Sequence, residues 1–154
     1  AGAWSQPGVD GSPPRLTARE VLGRVDPTWG RMDDACRTLA TLAHLAGPLP
    51  ADTAVVLLSE RGCAASDRAF ERGRLAGAAD PQRFPYTLPS TAVGEASIRA
   101  GLRGAGLALA GADDAQGAAV ARGLIADGCA AVLLARVEAD RPPHVAWAEV
   151  WRPR

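Results

Sequence analysis

"GLRGAGLALAGADDAQGAAVARGLIADG", Gly101 to Gly128, decides how the rest of the chain is read. Leu107-Ala108-Leu109-Ala110 is a short apolar run of strand character. Gly111-Ala112 turns it, Asp113 and Asp114 follow, and a helix of small apolar residues runs on to Asp127. A strand feeding a helix through a tight Gly turn is a building unit of layered α/β folds, and many enzymes place a nucleophile there. This helix is apolar nearly all round, with Gln116, Arg122 and Asp127 its only polar side chains. A surface helix shows a polar face. One without it is expected to be buried on more than one side, by the domain folding round it or by another subunit.

Elements on either side follow the same alternation. Residues 5–15, "SQPGVDGSPPR", read as a loop, and Leu16–Val25 as a weak helix with Thr17 and Glu20 at capping-box spacing. Met32–Ala46 is an amphipathic helix with Met32, Cys36, Leu39, Ala43 and Ala46 on one face, ended by Gly47-Pro48. Thr53–Ser59 is a continuous apolar run, as in a strand buried on both faces. Ser66 can cap a short helix through Leu75. Residues 77–90 hold three prolines, one of the two Phe and the only Tyr, in an irregular stretch of the kind that often carries function. A helix over Thr91–Leu102, the strand and helix of the opening stretch, and a strand over Cys129–Ala139 come next. "RPP" turns into an alternating His144–Trp151, expected as an edge strand antiparallel to its predecessor. The expected fold is α/β: a mostly parallel five-stranded sheet with an antiparallel C-terminal edge strand and helices on both faces, in one domain over 1–154.

Composition narrows the function. The chain has 154 residues, 47% hydrophobic and 5% aromatic, so its core is built from Ala, Leu and Val. Formal net charge is zero, and all 17 basic residues are Arg. Without Lys there is no P-loop or Schiff-base lysine. The arginines are interspersed with acids, so no nucleic-acid partner is implied. Cys36, Cys63 and Cys129 have neither CxxC nor zinc spacing and read as reduced thiols of a cytoplasmic protein. No metal constellation, cofactor motif, membrane span or signal peptide is visible. The chain begins at Ala1 without Met, which leaves room for a removed upstream segment. Gly101, Gly104 and Gly106 precede their strand, whereas a phosphate cradle follows one, so nucleotide binding is discounted.

Four segments, in order, resemble the N-terminal half of a β-ketoacyl synthase of the thiolase-like superfamily, nearest its chain-length-factor-like, non-catalytic members. "RMDDACRTLATLA" (Arg31–Ala43) is similar to the family's Arg-Met-Asp entry into its first long helix. "AVVLLSERGCAASDRAF" (Ala54–Phe70) is similar to its strand, Gly turn and helix. "RFPYTLPSTAVGEASIRAGLRG" (Arg83–Gly104) carries the most specific pattern, Pro-Ser/Asn-x-x-x-Gly-x-x-Ser-Ile and then Gly-Leu-x-Gly. "LALAGADDAQGAA" falls where the family has its strand and a Thr-Ala-Cys-Ser-Ser nucleophile elbow. The resemblance covers about residues 16–138.

The departures shape what this implies. The family's nucleophilic Cys falls on Asp113, to within one residue, with Asp114 and Ala115 where small hydroxyl residues are usual. Its two catalytic His belong to a C-terminal half that is absent here, and neither His44 nor His144 matches a family motif. Condensation needs a thiolate and imidazoles. An aspartate is a poor acyl acceptor, but at a helix N-terminus it caps free N–H groups, for about 0.5–2 kcal/mol. Asp113 and Asp114 are therefore expected to cap. Cys36, Cys63 and Cys129 are expected in the core, and His44 as a helix C-terminal residue. Trp147 and Trp151, four apart on one strand face, suit either a covering helix or a partner.

In the family, two such halves sandwich their central helices between two sheets, and the strand before the elbow pairs across the dimer axis. The resemblance therefore implies an inactive subunit acting by association in fatty-acid, polyene or polyketide biosynthesis, shaping the acyl tunnel or stabilising a condensing enzyme. Its partner is its own copy or a full-length ketosynthase, with acyl carrier protein a further candidate. Phe84, Tyr86, Thr87, Leu107, Leu109, Ala112 and Gln116 are the interface or acyl-pocket candidates. The alternatives are an acyl-thioester-processing enzyme using Asp113 or Asp114 as acid or base, and a small acyl- or lipid-binding protein.

Overall fold

The computed structural model describes residues 3–5, 17–139 and 145–153. Its centre is the strand β2 (Ala54–Ser59), all six residues of which are buried. β3 (Gly106–Ala110) and β4 (Val132–Glu138) flank it, both parallel, with Leu57 level with Ala108 on one side and Ala135 on the other. β5 (Val145–Trp151) runs antiparallel to β4, and β1 (Ala3–Ser5) antiparallel to β5. The sheet is thus five-stranded, in the order β1-β5-β4-β2-β3. The antiparallel C-terminal strand is where the alternation of residues 144–151 puts it. It is not the outermost strand, because β1 pairs along its free side. The sequence reading has a loop beginning at residue 5 and no strand before it. His144, the "RPP" turn and most of the 5–15 loop lie outside the described residues.

Strand alternation sorts the core into two layers. Val55, Leu57, Leu133, Ala135, Val137, Ala148 and Val150 face α1 (Ala18–Leu22), α2 (Asp34–Leu45) and α4 (Pro89–Ala100). Ala54, Val56, Leu58, Val132 and Leu134 face α5 (Asp114–Ala126). Helices cover both faces, as expected for an α/β layered fold.

Local chemistry sets the ends of these helices. Thr17 and Glu20 form the predicted capping box of α1. Asp33 caps α2, accepting from the Cys36 N–H at 2.9 Å. On α2, Cys36, Leu39, Ala40, Leu42 and Ala43 are buried, while His44 is exposed in the last turn. The helix α3 (Ala64–Leu75) begins two residues before Ser66, with Cys63 at its N-cap and no side-chain cap bond. Ser66 does not cap it, because its hydroxyl donates to Asp33 at 2.8 Å instead. Residues 84–87 form a 3-10 turn inside the stretch read as irregular. α4 starts two residues earlier than its apolar period suggests, with Pro89 in its first turn, a position that tolerates a missing N–H.

A buried ionic cluster ties α4 to the segment before α2. Arg99, 5% exposed, pairs with Asp26 at 2.8 Å and with Glu95, and donates to the Thr28 hydroxyl at 2.7 Å. Its guanidinium also lies 6.0 Å from the Trp29 ring centroid. The Thr28 hydroxyl bond, against burial, holds the Asp26 carboxyl below its ordinary range.

Candidate functional site

The turn from β3 to α5 is built as an elbow. Gly111 takes φ 76°, a left-handed conformation that side-chain-bearing residues rarely adopt, and so reverses the chain in a single step. Asp113 is the N-cap of α5. Its carboxylate accepts from the Gln116 N–H at 2.7 Å, and the Gln116 side chain accepts from the Asp113 N–H at 2.9 Å. This reciprocal capping box satisfies two helix donors. Gly117 then lets α5 settle on β2, since a Cβ there would lie 2.5 Å from Leu58 Cδ1.

Asp114 does something different. Its carboxylate pairs with Arg136 Nε at 2.7 Å. Arg136 also bonds Glu138 at 2.9 Å and the Ala112 carbonyl at 2.9 Å, and Glu138 in turn accepts from the Glu60 N–H at 2.8 Å. One guanidinium therefore fastens the elbow to the carboxyl ends of β4 and β2. Burial pulls the Arg136 guanidinium down, but its bonds to Asp114 and Glu138 outweigh this and hold it above the ordinary arginine value. Arg136 and Glu138 are absent from the sequence reading. The signal was there: two charged residues at alternate positions closing an otherwise apolar strand.

This arrangement suits fastening more than proton transfer. A general acid needs a carboxyl kept protonated by a dry, apolar surround. The Asp114 side chain is 66% exposed, and Asp113 is exposed and engaged by a backbone N–H. The three thiols offer no substitute nucleophile. Cys36 and Cys63 are buried and Cys129 is half-buried. Burial, and then the Asp67 charge, push the Cys63 thiol up to about 12. Its S–H donates to the Thr87 carbonyl. Among the described residues no group of three His, Cys, Asp or Glu could hold a metal ion.

The remaining candidates fall into two groups. Leu107, Leu109 and Ala112 pack half-buried under α5, with Gln116 exposed at its start. Tyr86 packs against the core of the opposite face, its hydroxyl reaching Glu95 at 3.5 Å. Phe84 is 54% exposed and tilts against Phe70 at 5.6 Å, while the Thr87 hydroxyl donates to the Phe84 carbonyl. Trp147 and Trp151 are half-buried in the cluster beneath α5, so the covering helix takes them.

Of the two coverings expected for α5, the chain itself does not supply one. Gly117 and Ala121 are buried, but Ala115, Ala119, Arg122, Gly123 and Ala126 are exposed. The domain does not fold round this helix. Among the described residues, β3 beside it is the outermost strand on its side of the sheet, its end residues Gly106 and Ala110 exposed.

No family model matches the sequence, and no curated protein does. Solved structures do match. One is a ketosynthase in complex with its chain length factor from Xenorhabdus doucetiae, with a TM-score of 0.71 at 18% identity, covering 81% of this chain and 59% of that one. Another is the ishigamide ketosynthase/chain length factor, with a TM-score of 0.76 at 19% identity, covering 91% of this chain and 48% of that one. The chain thus spans less than two thirds of the length of these chains. At such identity the likeness speaks for fold, and function has to be argued from the site. The chain shares the fold of about half of a ketosynthase or chain length factor chain.

Proposed function

We propose that this chain is a non-condensing, ketosynthase-like subunit that acts by association in the cytoplasm. It serves fatty-acid, polyene or polyketide biosynthesis, shaping an acyl tunnel or stabilising a condensing enzyme. The observation that carries the reading is the exposed outer side of α5, faced by Ala115, Ala119, Arg122, Gly123 and Ala126, next to a β3 edge with no strand beside it among the described residues. Small residues let another backbone approach closely, and an unpaired edge offers a row of N–H and C=O groups to a further strand. The elbow supports the same reading, because Asp113 is engaged as a cap where a condensing enzyme needs a thiolate.

The partner is a full-length ketosynthase or a second copy of this chain, and acyl carrier protein would reach the assembly through the ketosynthase. Leu107, Leu109, Ala112 and Gln116 lie along the surface that would be covered. Phe84, Tyr86 and Thr87 would lie toward the acyl path. Co-expression with a full-length ketosynthase from the same source, followed by size-exclusion chromatography with light scattering, tests the reading. A stable complex or a homodimer is expected, and Ala119→Glu on the outer side of α5 should disperse it. A monomer that ignores the ketosynthase would rule the association out.

A further inference from the structure

A groove of about 450 Å³ lies away from the elbow, on the α2 side of the sheet. Cys63 and Ala139, which follow β2 and β4, both line it, so it opens at the carboxyl ends of parallel strands, where open α/β sheets commonly bind ligands. Its size is within the range of small-molecule sites. Met32, Cys63, Ala65, Ala69 and Tyr86 give it an apolar lining.

Two of the three arginines and two of the three aspartates round it pair off, leaving Arg31 and Asp33. Arg37 bonds Asp34 at 2.6 Å and also the Met32 carbonyl, and Arg83 pairs with Asp80 at 3.4 Å. Asp33 is occupied by the Cys36 N–H and the Ser66 hydroxyl. Arg31 is exposed at the groove and has no ion pair or hydrogen-bonded carboxylate among the described residues. A ligand entering here meets an apolar strip of Ala65, Ala69 and Tyr86 and the Arg31 guanidinium, free of any carboxylate among the described residues, while both hydrogen-bonding contacts of Asp33 are already made.

We propose that this groove binds a small amphipathic monoanion, with its charged end on Arg31 and its apolar body over Ala65, Ala69 and Tyr86. The ligand is held without a covalent step, because a carboxylate carries no leaving group and the Cys63 thiol is buried and donates to the Thr87 carbonyl. This site is separate from the α5 and β3 surface, so it stands whether or not the chain associates.

The test titrates the ¹⁵N-labelled full chain with octanoate, octanol and octylammonium, following amide shifts. Octanoate is expected to move Arg31, Ala65, Ala69 and Tyr86, and to bind about fivefold more tightly than octanol, the strength of an exposed ion pair. Octylammonium should bind least. Arg31→Glu alters an exposed side chain and is expected to keep the fold by circular dichroism while abolishing the preference for octanoate. Ala69→Trp fills the groove and should remove binding of both octanoate and octanol. The proposal is overturned if millimolar octanoate leaves these amides unmoved, if octanol binds equally well, or if Arg31→Glu leaves octanoate binding unchanged.

Discussion

Gly117→Ala probes how α5 seats on the sheet. The added methyl would lie 2.5 Å from Leu58 Cδ1, 2.9 Å from Cδ2 and 3.1 Å from Cγ. Comfortable carbon contacts are about 3.5–4.0 Å, so the approach is about an ångström too close. Leu58 is 0% exposed and has nowhere to retreat. Overpacking of this kind costs about 1–3 kcal/mol. Against that, alanine returns about 1 kcal/mol of helix propensity over glycine. The net loss is about 0–2 kcal/mol. The decisive measurement is the double-mutant cycle with Leu58→Ala. That change costs about 2–5 kcal/mol, but it clears the space the methyl needs. In the Leu58→Ala background, Gly117→Ala should therefore stabilise the protein by about 1 kcal/mol. Urea unfolding of the four proteins, followed by circular dichroism, gives the coupling directly. A coupling within about 0.5 kcal/mol of zero would mean the two sites act independently, and would refute the contact-limited seating of α5.

Other expectations follow from single groups. Asp113→Ala should cost about 1 kcal/mol by loss of the cap, and Asp113→Asn close to nothing; equal losses in urea unfolding would count against capping. Arg99→Met strands Asp26 and Glu95 without their cation and should cost about 3 kcal/mol, read as a lowered melting temperature. Burial raises the Cys63 thiol from 9.0 to about 12 and pushes Cys36 up in the same direction. The unfolded chain therefore gives up these protons first, so the linked stability is intact below pH 9.0 and drains away as pH rises above it. Melting temperature should hold up to about pH 9 and then fall, with a shallower fall in Cys63→Ala. An identical slope in that variant would contradict the assignment.

Much of the fold could be read from continuous apolar runs and helix caps. Thr53–Ser59 announces a strand buried on both faces and Cys129–Ala139 a strand, and Thr17/Glu20 and Asp113 announce helix starts by their own side-chain chemistry. What could not be read depends on partners distant in sequence. β1 exists because it pairs with β5, more than a hundred residues away. Ser66 looks like a cap until Asp33 from another helix takes its hydroxyl. The candidate site was partly legible: the elbow and its capping aspartate are local. The Arg136 link was not, because it joins residues 22 apart through a sheet order that no local pattern reveals. Periodicity could say that α5 lacks a polar face, but not that the domain leaves its outer side bare.

The open edge of β3 has a cost when no partner is at hand. Its sequence, Gly106-Leu107-Ala108-Leu109-Ala110, carries no lysine, proline or bulge of the kind that guards exposed strands against stray pairing. A chain made in excess over its partner would present that edge to other copies of itself. The amount of this protein that stays in solution should therefore track the supply of whatever pairs with β3, with the surplus lost to aggregation or to proteolysis.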